Sequence, residues 1–215
     1  MALLTSRILL LVDIGNRFAH IYNGLVVINL EHSEFLKRYK EHKLYYINVN
    51  LSIQKQLEKN INWINLEPYI RVDGSYDGMG VDRKALLLSR DDGLYIDCGS
   101  AITIDLKEGG RFVGGTILPG IWRVKSCYKE ISPRLEVESI SKIDVDNLPN
   151  STTNMSISYG IIAPIIALVD RVNYNNLPIY CCGGDGELLS NYLGGEFDDL
   201  LVFKGMQKVI KECGC

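Results

Sequence analysis

Short apolar runs separated by turn-forming residues dominate the chain, and two of these runs end alike. Residues 8–12 are rich in leucine and β-branched side chains without alternation, which predicts a strand buried on both faces. They lead into Asp13-Ile14-Gly15-Asn16. Residues 94–96 are also apolar and lead into Asp97-Cys98-Gly99-Ser100. After the first tetrapeptide come residues 18–22, Asn23-Gly24 and an apolar run over 25–30. After the second come residues 101–106, Glu108-Gly109-Gly110 and a run over 112–118. Asn-Gly between alternating apolar runs is the strongest short hairpin signal, and Gly-Gly is a weaker one. The chain thus predicts one unit twice: strand, Asp-x-Gly-polar turn, β-hairpin.

Between the copies, residues 31–40 predict a short amphipathic helix with Phe35, Leu36 and Tyr39 on one face. A strand over 44–49 follows. Asn50-Leu51-Ser52 then caps a second short helix lined by Ile53 and Leu57, and a weak strand over 62–66 ends before Pro68. The first half therefore reads βββ-α-β-α-β. Residues 73–80 are turn formers and predict a loop, with a helix over 81–89 behind it. After the second hairpin, Pro119-Gly120 opens a helix carrying Ile121, Trp122, Val124 and Tyr128. Residues 132–154 are irregular. Residues 155–172 form the longest helical pattern, with Pro164 as a kink. A strand over 179–182 comes next, then the glycine loop Gly183-Gly184-Asp185-Gly186 opening a helix to Leu193. A last strand over 200–203 and a closing helix over 207–211 complete an α/β pattern. The expected division is into two domains, 1–90 and 91–215.

Composition narrows the function classes. Hydrophobic residues at 47% and charged residues at 23% suit an ordinary globular chain. A formal net charge of −3 lacks the basic footprint of a nucleic-acid binder. No apolar run approaches the roughly 20 residues of a spanning helix, so no membrane is expected. The apolar start runs into Asp13 without a small-residue cleavage site, which reads as a strand and not a signal peptide. Six cysteines without a Cys-x-x-Cys spacing, and three histidines all before residue 43, argue against zinc. They predict reduced thiols and a cytoplasmic location.

The twin turns carry the chemistry. Glycine lets backbone approach an anion with no Cβ in the way, and successive N–H groups in such a turn form an anion-binding nest. The aspartate can hold a cation, directly or through water, and that cation neutralises phosphate oxygens. Two such turns facing one cleft would grip a nucleotide triphosphate from both sides.

Four segments carry a resemblance to one family. Asp13-Ile14-Gly15-Asn16 resembles the first phosphate motif of type III pantothenate kinases. Gly80-Val81-Asp82-Arg83 resembles their Gly-x-Asp-Arg motif. The run from Asp97 through Ser100, Thr103 and Asp105 is similar to their Asp-x-Gly-Thr-Ala-x-Thr-x-Asp motif. Gly114-Gly115-Thr116-Ile117-Leu118-Pro119-Gly120 resembles their Gly-Gly-x-Ile-x-Pro-Gly segment. All four come in the family's order, within residues 8–190.

The resemblance implies two tandem ribonuclease-H-like domains of the actin-like ATPase type, with an interdomain cleft. It implies ATP-dependent phosphorylation of pantothenate, the first step toward coenzyme A. It also implies which residues act. Asp13, Ile14, Gly15, Asn16, Arg17, Phe18, Ala19 and His20 would cradle ATP, with Ser100 touching it as well. Asp97 would support a monovalent cation, K⁺ or NH4⁺, with Mg²⁺ accompanying ATP. Tyr76, Gly80, Val81, Asp82, Arg83 and Thr153 would hold pantothenate, and Asp82 would accept the hydroxyl proton. The Gly183-Gly184 loop fits the place where actin-like folds hold adenosine. A homodimer is implied, with neither nucleic acid nor membrane as partner.

The roles suit the residue types. A primary hydroxyl is a weak nucleophile that a nearby carboxylate assists, and arginine pairs with a carboxylate such as pantothenate's in a bidentate fork. On position alone, Asp82 also fits a helix N-terminal acid, Arg83 a surface charge, Tyr76 a packed loop aromatic and Thr153 a cap before Met155. The chain departs from the family pattern at three places. Arg17 stands where the family has threonine, so a cation would face phosphate. Ser100 keeps only the hydroxyl of the family's threonine, and the loop over 76–80 is short. The competing readings are another acyl or sugar kinase or a phosphatase of the same superfamily, and a non-enzymatic transcription accessory factor.

Overall fold

The computed structural model describes residues 9–214, so residue 8 of the first expected strand lies outside the described residues. The chain divides into two units. One holds the described residues up to Asp91 together with those from Leu200 onward, and the other holds Asp92–Asp199.

In the first unit, β1 (Leu11–Ile14), β2 (Ala19–Tyr22) and β3 (Val27–Leu30) form an antiparallel meander. Helix α1 (His32–Arg38) leads to β4 (Leu44–Asn48), which pairs parallel to β1 with Asp13 opposite Ile47. A short 3₁₀ turn, Leu51–Ile53, and α2 (Gln54–Glu58) then lead to β5 (Trp63–Asn65), parallel to β4. The sheet order is β3-β2-β1-β4-β5. Asn23 fixes the first hairpin, its side-chain oxygen accepting the Leu25 and Val26 amides at 3.0 Å each.

Alternation in the central strands sorts two faces. Val12, Ile14, Ala19, Ile21, Leu44 and Tyr46 pack with Phe35 and Tyr39 of α1 and with Ile53 and Leu57 around α2. Phe35 and Trp63 stack with ring centroids 4.9 Å apart. The other face receives α3 (Val81–Leu88) and α7 (Leu201–Cys213). There Phe203 meets Tyr22, with centroids 5.4 Å apart.

Helix α7 departs from expectation. Residues 200–203 predict a strand, but Leu201, Val202 and Phe203 form the first turn of a 13-residue helix. Its buried stripe of Leu201, Val202, Gly205, Met206 and Val209 lies on α3 and β1. A domain boundary drawn from sequence alone puts this segment with residues 91–199, whereas packing puts it with the first unit.

The second unit repeats the sheet. Its strands are β6 (Gly93–Cys98), β7 (Ala101–Glu108), β8 (Arg111–Pro119), β9 (Ile179–Cys182) and β10 (Glu196–Phe197). The order is β10-β9-β6-β7-β8, with β7 and β8 antiparallel and β9 and β10 parallel in their pairings. Read from the hairpin edge, this is the order of the first sheet. Asp92 ties the β7–β8 turn, accepting the Gly109 and Gly110 amides at 2.6 and 2.8 Å. Those two amide bonds, Gly110 first, hold its carboxyl below the usual carboxylate range.

One face of this sheet packs against α4 (Ile121–Ile131), α5 (Thr153–Val172) and α6 (Gly186–Leu193) through Ile121, Ile157, Ile161, Ile162, Ile165 and Leu189. By length and composition α5 could cross a membrane, but Ile157, Ser158, Ile161, Ile162, Ile165 and Val169 are buried in the unit's core. Cys98, Cys127, Cys181 and Cys182 are free thiols. Cys213 is disulfide-bonded, against the expectation of reduced thiols throughout.

Candidate active site

The two Asp-x-Gly turns occupy the same station in the two sheets. Each follows the strand that pairs antiparallel on one side and parallel on the other. Alternation turns Val12 and Ile14, like Ile96 and Cys98, into the helix-packed core, so Asp13 and Asp97 project from the opposite face of each sheet.

In the first turn the Gly15 amide donates to the Phe18 carbonyl at 3.0 Å, which closes residues 15–18 into a tight loop. Asn16 and Arg17 are exposed at its tip. The Arg17 guanidinium lies 5.3 Å from the Phe18 ring centroid. Ile14 and Ala19 are fully buried, so only their backbone can face a ligand. His20 bonds Asn29 through Nδ1 at 2.7 Å.

In the second turn the Gly99 amide donates to the Ala101 carbonyl at 3.0 Å, and Ser100 is exposed. A Cβ at Gly15 would come no closer than 3.5 Å to any neighbour, and one at Gly99 no closer than 3.8 Å. Neither residue has the positive φ that favours glycine. The fold itself therefore does not require glycine at either place, whereas the approach of a ligand would.

Asp97 sits in a tighter setting. Gly183, at φ 83°, comes so near that a Cβ there would lie 2.5 Å from Asp97 Oδ1. The Asp185 amide donates to the Cys98 carbonyl at 3.0 Å, which pins the glycine loop to the end of β6. Burial raises the Asp185 carboxyl above its ordinary range, and it pushes the Cys98 thiol up as well. Directly across the ladder from Asp97 is Thr103, 8% exposed, whose hydroxyl has no hydrogen-bond partner among the described residues. A carboxylate opposite an unsatisfied buried hydroxyl gives an oxygen-only donor set, which fits a hard monovalent cation. Among the described residues no group of three or more His, Cys, Asp or Glu side chains offers a site for a multivalent metal.

The predicted substrate residues of the first unit come together at the start of α3. Arg83 is buried, at 5% exposure, and its Nη1 donates to the Tyr76 hydroxyl at 2.8 Å. It is thus not the solvated surface charge that its position also allowed. The loop from Tyr76 closes through the Met79 amide on the Tyr76 carbonyl at 3.1 Å. Asp82 lies in the first turn of α3, and its Oδ1 accepts the Arg83 amide at 2.8 Å. Gly80 precedes that turn, and Val81 is buried.

Thr153, in the second unit, opens α5 with its side chain exposed. The cap is Thr152, whose hydroxyl oxygen accepts the Met155 amide at 3.1 Å. Thr153 is therefore released from the capping role that its position also suggested. Sequence reasoning passed over His32 and Asn50, which bond the carbonyls of Gly15 and Asn16 across 17 and 34 positions.

The family model for type III pantothenate kinase matches residues 9–174. The type III pantothenate kinase of Campylobacter jejuni subsp. jejuni is 41% identical over 205 residues, covering 95% of this chain and 97% of that one. A solved structure from Campylobacter jejuni, proposed to be a Baf family transcriptional activator, superposes with a TM-score of 0.87 at 40% identity. It covers 96% of this chain and 99% of its own. A Sinorhizobium meliloti protein proposed to be a 2-dehydro-3-deoxygalactonokinase shares the fold alone, with a TM-score of 0.57 at 11% identity over 95% of this chain and 96% of its own. The architecture is that of two tandem ribonuclease-H-like units, the actin-like fold, and the chain belongs to the type III pantothenate kinase family.

Proposed function

We propose that the protein transfers the γ-phosphoryl group of ATP to the primary hydroxyl of pantothenate, giving ADP and 4'-phosphopantothenate, the first step of coenzyme A biosynthesis. The observation that carries this reading is the placing of the two Asp-x-Gly turns at one topological station of two sheets with the same strand order. Their glycines, which the fold does not need, support it.

In this reading each turn binds phosphate. The 13–20 turn contributes backbone amides and Arg17, and Ser100 contributes its hydroxyl. Asp97 and Thr103 are the residues that would hold K⁺ or NH4⁺. A cation held there would offset phosphate charge, and Mg²⁺ would accompany ATP as part of the substrate. Arg83 pairs with the pantothenate carboxylate while Tyr76, tied to it, and Gly80 and Val81 shape the pocket, with Thr153 as a further contact. Asp82 takes the hydroxyl proton as that oxygen attacks γ-phosphorus and the bond to the bridging oxygen of ADP breaks. The same reading has the protein act in the cytoplasm as a homodimer, with neither nucleic acid nor membrane as partner, and the family resemblance supports it.

The name of the Campylobacter structure supports a second reading as a transcription factor. The net charge of −3 and the retention of Asp13, Asp82 and Asp97 weigh against it. A substrate panel decides between the readings, and between pantothenate and the sugars and acyl acids of related kinases. Mass analysis of products is expected to find phosphate on pantothenate alone. Phosphorylation of another acceptor, or of none, would reject the proposal.

A further inference from the structure

We infer that His32 and Asn50 are positioning residues that aim the first phosphate turn. The inference rests on the proposed ATP role of residues 13–20. His32, at the start of α1, places Nε2 at 3.0 Å from the Gly15 carbonyl. A carbonyl only accepts, so Nε2 carries the proton. Nδ1 of the same ring lies 3.4 Å from Asn50 Nδ2, which also reaches the Asn16 carbonyl at 3.5 Å.

The orientation of the Asn50 amide is fixed. Its Oδ1 accepts the Ser52 amide at 2.9 Å and the Ser52 hydroxyl at 2.6 Å, so Nδ2 must face His32 and the turn. Asn50 is itself clamped by Asn48. The Asn48 Oδ1 accepts the Asn50 amide at 3.0 Å, and its Nδ2 donates to the Asn50 carbonyl at 3.1 Å and to Gln54 Oε1 at 2.6 Å. Asn48 lies in the last position of β4, a buried strand next to β1. The chain of bonds therefore runs from the sheet to the back of the turn.

The consequence follows from peptide geometry. In a planar trans peptide the N–H points opposite to the C=O of the preceding residue. Drawing the Gly15 carbonyl toward His32 turns the Asn16 amide outward. Drawing the Asn16 carbonyl toward Asn50 turns the Arg17 amide the same way. Two successive N–H groups aimed to one side form an anion nest. His32 and Asn50 thus hold the nest in its binding orientation before a phosphate arrives, and neither has to touch the nucleotide.

The test compares wild type with His32→Leu, which keeps bulk and loses the donor, and with His32→Gln, whose amide can still donate to Gly15. Three quantities are read: the calorimetric Kd for MgATP alone, the KM for pantothenate, and the amide shifts of Asn16 and Arg17 on MgATP addition. For His32→Leu the expected result is a Kd raised about tenfold, as for one lost hydrogen bond. The KM for pantothenate stays within about twofold, and His32→Gln recovers most of the affinity. A His32→Leu protein with wild-type MgATP affinity and wild-type amide shifts overturns the inference. So does an equal loss in both leucine and glutamine variants. If His32→Leu does not fold, Asn50→Ser read by the same three quantities decides. A wild-type protein whose Asn16 and Arg17 amides ignore MgATP rejects the ATP role of the turn itself, a separate failure.

Discussion

Replacing Asp82 with asparagine is expected to lower pantothenate-dependent kcat by roughly 10²–10⁴-fold, the usual cost of a lost general base. The substitution is isosteric. The amide oxygen of asparagine can still accept the Arg83 backbone N–H that Asp82 Oδ1 accepts at 2.8 Å, so the first turn of α3 keeps its bond. What stability loses is a carboxylate near a helix N-terminus, worth about 0.3–1 kcal/mol. What the rate loses corresponds to about 3–5 kcal/mol of barrier. The second effect exceeds the first several-fold, so a purely structural aspartate and a proton-accepting one give different results. Steady-state kinetics together with a thermal melt separate them. A variant that turns over near the wild-type rate would remove Asp82 from the chemistry.

The second large effect is on stability. Gly205 lies in the middle of α7, and a Cβ built there would stand 1.8 Å from the Ala85 carbonyl oxygen of α3. Helix propensity favours Gly205→Ala by about 1 kcal/mol. Overpacking opposes it, and because the obstacle is backbone, relief requires the two helices to separate. Their shared face buries Leu201, Val202, Met206 and Val209, so overpacking should cost about 3 kcal/mol or more. The net expected change in Tm is a fall of about 5–8 °C for a chain of this size. A melt that is unchanged or raised would mean that α3 and α7 tolerate a wider spacing. Because α3 carries Asp82 and Arg83, the same substitution should also weaken activity at temperatures where the protein is still folded.

The duplicated sheets were legible because each copy announces itself locally. An apolar strand, an acidic glycine turn and a glycine-bearing hairpin fall within about twenty residues, which is the range over which turn chemistry and period-2 alternation speak. The α3 site was legible for a similar reason, with Tyr76 to Arg83 forming one continuous segment. Helix α7 was not. Leu200 to Phe203 is a four-residue apolar run that periodicity cannot assign, and Gly205 reads as a helix breaker. Its tertiary role, letting α7 touch α3, is invisible without the partner helix.

The bonds that His32 and Asn50 make to the first turn cross 17 and 34 positions of chain, and no local pattern marks them. Thr103 lay inside a recognised motif. Its meaning changed once strand register set it opposite Asp97 with its hydroxyl unsatisfied.

The claim on which the proposed function rests is that each acidic turn binds ATP. ATP titration of pantothenate-dependent ADP formation in Asp13→Asn and in Asp97→Asn, at saturating pantothenate and fixed K⁺, tests it most directly. The expected result is a KM for ATP raised at least about tenfold in each variant, a loss of about 1.4 kcal/mol from either side. A wild-type KM for ATP in either variant, in protein that melts normally, would contradict it.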